Sequence, residues 1–183
     1  LNYQANDYYP ADFVWKGETT YNIGIRSRGR GSRSPHKPGL QVDFNRYSDS
    51  QTFAGLKSLV LDNLTQDASG VHETVTMRFF ERLGIPAPLE THVKLYVNNE
   101  YIGLYALIES VDKQMLARVF GVINDDTQTD GWLYEYHYQE PWLFTDLGKR
   151  LSDIKTRREA KTHYSKSDEP QYGKVQALTR LAN

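Results

Sequence analysis

At 183 residues the chain is long enough for one sizeable core and for part of a second domain. Its 22 Lys and Arg nearly balance 23 Asp and Glu, so no nucleic-acid partner is implied over the whole surface and any anion site is local. The absence of cysteine excludes disulfides, thiolate metal sites and cysteine nucleophiles, and no apolar run approaches membrane-spanning length.

Compartment stays open, because a cysteine-free chain suits an exported bacterial protein and a cytosolic one alike. The first residues lack the charged start and apolar middle of a signal peptide, and Leu1 is not a natural start, which leaves room for a trimmed leader. Thirteen tyrosines and three tryptophans point to packed β structure with wet aromatic edges.

Residues 1–9 are polar, tyrosine-rich and unpatterned, and read as an extended lead-in. Ala11–Trp15 is strand-like, and Lys16-Gly17-Glu18 turns the chain into Thr19–Arg26, which makes a hairpin. Next comes a loop holding Arg28, Arg30, Arg33 and Lys37 with Gly29, Gly31, Ser27, Ser32 and Ser34 and no acidic residue. A glycine-rich basic loop between strands can wrap N–H groups and guanidinium forks around an anion such as phosphate, although many such loops are simply solvated.

Leu40, Val42 and Phe44 alternate with Gln41 and Asp43 as in a half-buried strand, and Leu56–Asp62 is a further strand. Asp67 or Ser69 caps a helix that runs to Leu83, where Gly84 and Pro86 stop it. At about 100° per residue, Val71, Val75, Phe79 and Leu83 form its apolar stripe, widened by Met77 and Phe80. Glu73 projects between Met77 and Phe80, and a carboxylate aimed at a core requires a partner. Thr91–Val97 and Tyr101–Ile108 form a tight hairpin about Asn98-Asn99, since asparagine tolerates positive φ.

Val111–Phe120 is a short amphipathic helix ended by Gly121. Asn124–Gly131 is a polar loop, Trp132–Tyr138 a strand, Leu151–Gln171 charged and poorly periodic, and Gly173–Ala182 a helix.

The order of strands, basic glycine loop, helix with an inward glutamate and hairpin is similar to the N-terminal lobe of a protein kinase. More specifically, the chain resembles the CotH kinase-like family, named for a spore-coat protein. The residues that carry this are P-A-D-F-V-W-K-G-E-T-T-Y-N-I-G-I-R-S-R-G-R-G-S-R at 10–33, K-P-G-L-Q-V-D-F at 37–44 and R-F-F-E-R-L-G-I-P-A-P at 78–88. They continue as V-K-L-Y-V-N-N-E-Y-I-G-L-Y-A-L-I-E-S-V-D at 93–112 and G-W-L-Y-E-Y at 131–136.

The resemblance implies an α+β fold: a kinase-like N-terminal lobe of twisted antiparallel sheet with one packed helix over 10–121, then a linker and the beginning of an incomplete second lobe over 122–183. It implies a kinase that transfers the γ-phosphoryl of ATP, with Mg²⁺ or Mn²⁺, to serine or threonine of a protein, and an exported, cell-surface or spore-coat setting. Carried over by position, Arg28, Gly29, Arg30, Gly31 and Ser32 lie over the phosphates, Lys37 pairs with them, Glu73 holds Lys37, and Leu107, Ile108 and Glu109 with Ser110 form the hinge against adenine. Arg30 stands where the family pattern usually has Asn, so contacts there are expected to differ in detail. The catalytic and metal-binding aspartates belong to the second lobe, so this stretch is expected to be an inert fragment with no metal ligands of its own. Asp146-Leu147-Gly148 superficially matches a metal-binding Asp-x-Gly but follows no catalytic loop.

Other chemistry finds little footing. His36, His72, His92, His137 and His163 show no metal-ligand spacing, although His36 beside Lys37 is near any phosphate. There is no G-x-S-x-G elbow, the aromatic run Trp132–Tyr138 reads as core plus edge, and Glu135 with Glu140 lacks a glycosidase pattern. The rival reading is a non-catalytic module that holds a polyanion or glycan through the Arg28–Lys37 loop.

Overall fold

Local chemistry sets the hairpins. In the computed structural model, β1 (Tyr9–Trp15) and β2 (Glu18–Arg28) are joined by Lys16 and Gly17, both at positive φ, the backbone that a two-residue hairpin turn requires. Asn98 and Asn99, also at positive φ, join β5 (Glu90–Val97) to β6 (Glu100–Glu109) in the same way. The structure describes residues 1–121, 132–136, 150, 152, 158–163 and 172–181. The chain divides into two units, Leu1–Met115 and Leu116–Asn183.

The first unit is built on a six-stranded antiparallel sheet in the order β1-β2-β3-β4-β6-β5, with β3 at Gly39–Asp43 and β4 at Ser58–Asp62. Helix α1 (His72–Arg82) lies between β4 and β5 in sequence, and β4 pairs with β6 rather than with β5. The strand that leads into α1 is therefore β4, and the strand that follows the basic loop is one place further out.

Alternation gives the sheet two different faces. One buries Ile23, Leu40, Val42, Phe44, Leu59, Leu61, Tyr105 and Leu107. Phe13, Phe44 and Phe53 meet there at centroid distances of 5.1, 5.0 and 5.3 Å, with Trp15 beside Phe53. The other face carries Val60, Ala106 and Ile108, with Leu64 against them.

Helix α1 lies along β5 on this second face, through polar contacts. The Thr74 hydroxyl donates to Glu90 Oε1 at 2.5 Å, and His92 Nε2 is 2.6 Å from the Gly70 carbonyl. The half-buried side of the helix is Glu73, Thr74, Met77 and Phe80. The expected apolar stripe is turned out instead, with Val75, Phe79 and Leu83 each about 60% exposed. The helix also starts later than the sequence suggests, at His72, whose N–H donates to Asp67 Oδ2 at 2.7 Å and so satisfies one orphan helix donor.

The lead-in is docked. Ser27 Oγ donates to the Tyr3 carbonyl at 2.6 Å, and the Tyr8 ring lies under Arg26 and Arg46 at 5.4 and 4.5 Å. Helix α2 (Lys113–Phe120) follows β6, with the Asp112 carboxylate accepting the Gln114 N–H at 2.8 Å at its start.

In the second unit β7 (Trp132–Tyr136) pairs antiparallel with β8 (Arg158–His163), and α3 spans Tyr172–Leu181. Tyr134 meets Tyr172 edge-on at 5.8 Å. Strand β8 falls in the stretch that reads as charged and aperiodic, so its pairing with β7 is set by tertiary context rather than by pattern. The Asn124–Gly131 loop, His137 and Asp146-Leu147-Gly148 lie outside the described residues.

Candidate functional site

The basic loop is held from inside. Asn63, only 1% exposed, donates through Nδ2 to the carbonyls of Ser32 and Lys37 at 2.8 and 2.7 Å. Ser34 Oγ accepts the Lys37 N–H at 3.1 Å. Gly29 has φ of +110°, and a Cβ there would come within 2.5 Å of Ser32 Oγ, so the tight start of the loop needs glycine.

Arg33 does not face outward. Its Nε donates to the Gly29 carbonyl at 2.6 Å, its Nη1 to the carbonyls of Tyr3 and Ala5 at 2.9 Å each, and its Nη2 to Asn6 Oδ1. This guanidinium fastens the lead-in to the loop. Lys37 is also turned in: its Nζ stands 5.1 Å from the centre of the Tyr105 ring, and its Cε lies 3.1 Å from where a Cβ on Gly103 would be. Of the four basic residues, the exposed ones are Arg28 and Arg30.

Glu73 and Lys37, expected as partners, are apart. Among the described residues no ion pair within 4.0 Å joins them. Lys37, in the loop before β3, turns over Tyr105, which belongs to the first face, whereas α1 brings Glu73 to the second.

The neighbours of Glu73 are Glu90, Asp62 and Arg28. Burial raises its pKa above the ordinary glutamate value, the Glu90 and Asp62 carboxylates raise it further, and the Arg28 guanidinium pulls it back. The register explains the grouping: Arg28 lies opposite Gly39, and Leu40 opposite Leu61, which sets Asp62 on the same end of the sheet. Asp62 in turn lies opposite Ala106, and Ala106 opposite His92. Asp62 Oδ1 accepts the Leu64 N–H at 2.8 Å, while Glu90 Oε2 is buried with no hydrogen-bond partner among the described residues. Asp62 and Glu90 escape a sequence reading because each looks like a strand terminus; their period-2 relation to Val60 and His92 is the available signal.

The residues expected as the hinge, Leu107, Ile108, Glu109 and Ser110, differ in how far the sheet engages them. Leu107 lies opposite Leu61 on one side and Thr91 on the other, and Ile108 opposite Val60 and Glu90, so their main chain is engaged by both neighbouring strands. The Leu107 side chain is in the first core and that of Ile108 in the second. Glu109 is 3% exposed; its Oε2 accepts the Leu89 N–H at 3.0 Å and its own N–H donates to the Leu89 carbonyl at 2.8 Å. The first residue past the ladder is Ser110, whose Oγ lies 2.7 Å from Ser58 Oγ and 3.3 Å from Gln41 Nε2.

His36 and His72 are exposed, and His72 Nδ1 is 3.0 Å from Asp67 Oδ1. Among the described residues no three His, Asp or Glu side chains are arranged to hold a metal ion, and no helix is long and apolar enough to cross a membrane. A family model described as CotH kinase protein matches residues 25–183. No curated protein matches the chain.

Proposed function

The chain belongs to the CotH kinase family, and from that membership we propose that it is the ATP-binding part of an enzyme passing the γ-phosphoryl of ATP to a serine or threonine hydroxyl of a protein. The observation that carries this reading is the half-buried Glu73 on α1 beside Arg28, at the mouth of a glycine-serine loop fixed from beneath by Asn63. Phosphoryl transfer relies on positioning and charge stabilisation rather than covalent chemistry from the protein, and a carboxylate, a cation and a preset loop are parts it uses. The phosphates lie along Arg28, Gly29, Arg30, Gly31 and Ser32, and adenine against the end of β6 at Glu109 and Ser110.

Magnesium or manganese would travel with the nucleotide and supply charge neutralisation, its protein carboxylates coming from the second lobe. The polyanion alternative is less well supported, since Arg33 and Lys37 point inward and two exposed guanidinium groups make a small patch. Calorimetric titration of the chain with ATP and Mg²⁺ tests the reading. Saturable one-to-one binding is expected, and no heat of binding at millimolar nucleotide overturns it.

A further inference from the structure

In a kinase-like lobe the phosphate-anchoring cation is expected on the strand that runs into the helix carrying the glutamate. Here that strand is β4, and its helix-facing end residue is Asp62, an acid. The lysine that precedes β3 is on the other face, over Tyr105. The lobe therefore has no lysine where the arrangement would place one, and the charge must come from elsewhere on the second face.

We infer that Arg28, and not Lys37, is the cation this lobe presents to the nucleotide phosphates, with Glu73 as its positioning residue. The inference rests on the ATP reading above and names the residue that grips the phosphates.

Three observations carry it. Arg28 is the last residue of β2, exposed, and directly before the positive-φ Gly29 that opens the loop, so its side chain and the loop amides converge on one place. The register sets it on the same face and end of the sheet as Asp62, Ala106 and His92, beneath α1. The Glu73 side chain makes no hydrogen bond among the described residues, Glu90 is met by Thr74 at Oε1 only while its buried Oε2 has no partner there, and Arg28 is the cation whose charge acts on Glu73.

The chemistry fits. A guanidinium keeps its charge at any working pH and has five N–H donors in a fork, enough to accept orientation from Glu73 on one edge and to meet phosphate oxygens bidentately on the other. The field of Arg28 also keeps the Glu73 carboxyl from rising further. Lys37 is left as a structural group, its ammonium over an aromatic face and its alkyl chain over the bare Gly103.

The test compares ATP, ADP and adenosine on the full chain with Mg²⁺, for wild type, Arg28→Ala, Arg28→Lys, Lys37→Ala and Glu73→Gln, each checked by circular dichroism and thermal melting. Arg28→Ala should weaken ATP and ADP by about 10- to 100-fold and leave adenosine within about twofold, because only the phosphate contact is removed. Arg28→Lys should recover part of the loss, Glu73→Gln should weaken ATP several-fold without changing adenosine, and Lys37→Ala should lower the melting temperature while ATP affinity stays within about twofold. If Lys37→Ala loses ATP and Arg28→Ala does not, the inference is overturned and the ATP reading stands. Wild type binding adenosine as tightly as ATP also overturns it, since the phosphates are then not gripped. Wild type binding no nucleotide overturns the ATP reading, and the inference with it.

Discussion

The Lys37 ammonium lies 5.1 Å from the centre of the Tyr105 ring, and Tyr105, wholly buried, donates its hydroxyl to the carbonyl of Pro38, the next residue along. The two residues close the end of the first core from above and tie the exit of the basic loop to β6. A lysine that reads as a phosphate ligand is thus part of the packing.

Lys37→Ala removes a cation from an aromatic face and uncovers the ring. Loss of about 1 kcal/mol is expected, a fall of about 3–6 °C in melting temperature. Lys37→Met, which keeps the alkyl cover, should restore at least half. A melt of the three proteins decides this.

Asn63→Ala removes a buried amide that donates to two carbonyls of the loop and should cost about 2–3 kcal/mol. Asn63→Asp should be worse, because a carboxylate would face those carbonyls. Hydrogen exchange of the 29–38 amides should quicken in both variants while β5 and β6 stay protected.

Arg33→Ala should release the lead-in, since the guanidinium holds Tyr3, Ala5 and Asn6. Limited proteolysis should then cut within residues 1–8 at protease levels that leave wild type intact. Arg33→Lys should not rescue, because a single ammonium cannot reach three carbonyls and an amide together.

Glu73 has its pKa raised on folding, mainly by burial and then by Glu90 and Asp62. Its folded state then binds the proton more tightly than the unfolded one, so its ionisation destabilises the fold as pH rises through and above the ordinary glutamate value. Glu73→Gln should be as stable as wild type at low pH and more stable at neutral pH. Urea unfolding at pH 4 and pH 7 gives the comparison, and a variant less stable at neutral pH would contradict it.

Tyr105 is pushed up to about 12, by burial first and by the Asp62 carboxylate second. The unfolded phenol ionises from about 10, so the stabilisation is present below that value and is lost as pH climbs toward 12. Tyr105→Phe should flatten this alkaline loss, and it should lower neutral stability by about 1 kcal/mol for the missing hydrogen bond to Pro38. Unfolding curves between pH 9 and pH 11 check both parts.

Short-range chemistry was legible in the chain. Lys16-Gly17 and Asn98-Asn99 adopt positive φ at their hairpin turns, alternation along Leu40–Asp43 marks a buried face, and the unbroken apolar run Leu59–Leu61 marks a strand covered on both faces. Family membership is legible too, since it rests on runs of residues such as the loop at 27–33 and the hairpin at 93–106.

The apolar stripe on α1 misleads for a physical reason. Two arcs of the helix can face a sheet, and the strand beside it offers Glu90 and His92 rather than an apolar surface, so the side with Thr74 and Glu73 docks and Val75 and Phe79 stay outside. A periodicity count on one segment holds no information about the chemistry of its neighbour.

By itself the sequence determined the turns, most strands, the presence of an inward carboxylate at Glu73 and the cationic character of the loop, because each depends on residues a few positions apart. Only the tertiary structure decided which cation shares a face with Glu73, since that depends on β4 entering the sheet between β3 and β6 and on the register between strands. A shift of one residue in a strand moves a side chain to the opposite face; that parity, carried across three strand pairings, puts Arg28 in one row with Asp62 and Ala106, whereas Lys37, in the loop before β3, turns over Tyr105 instead.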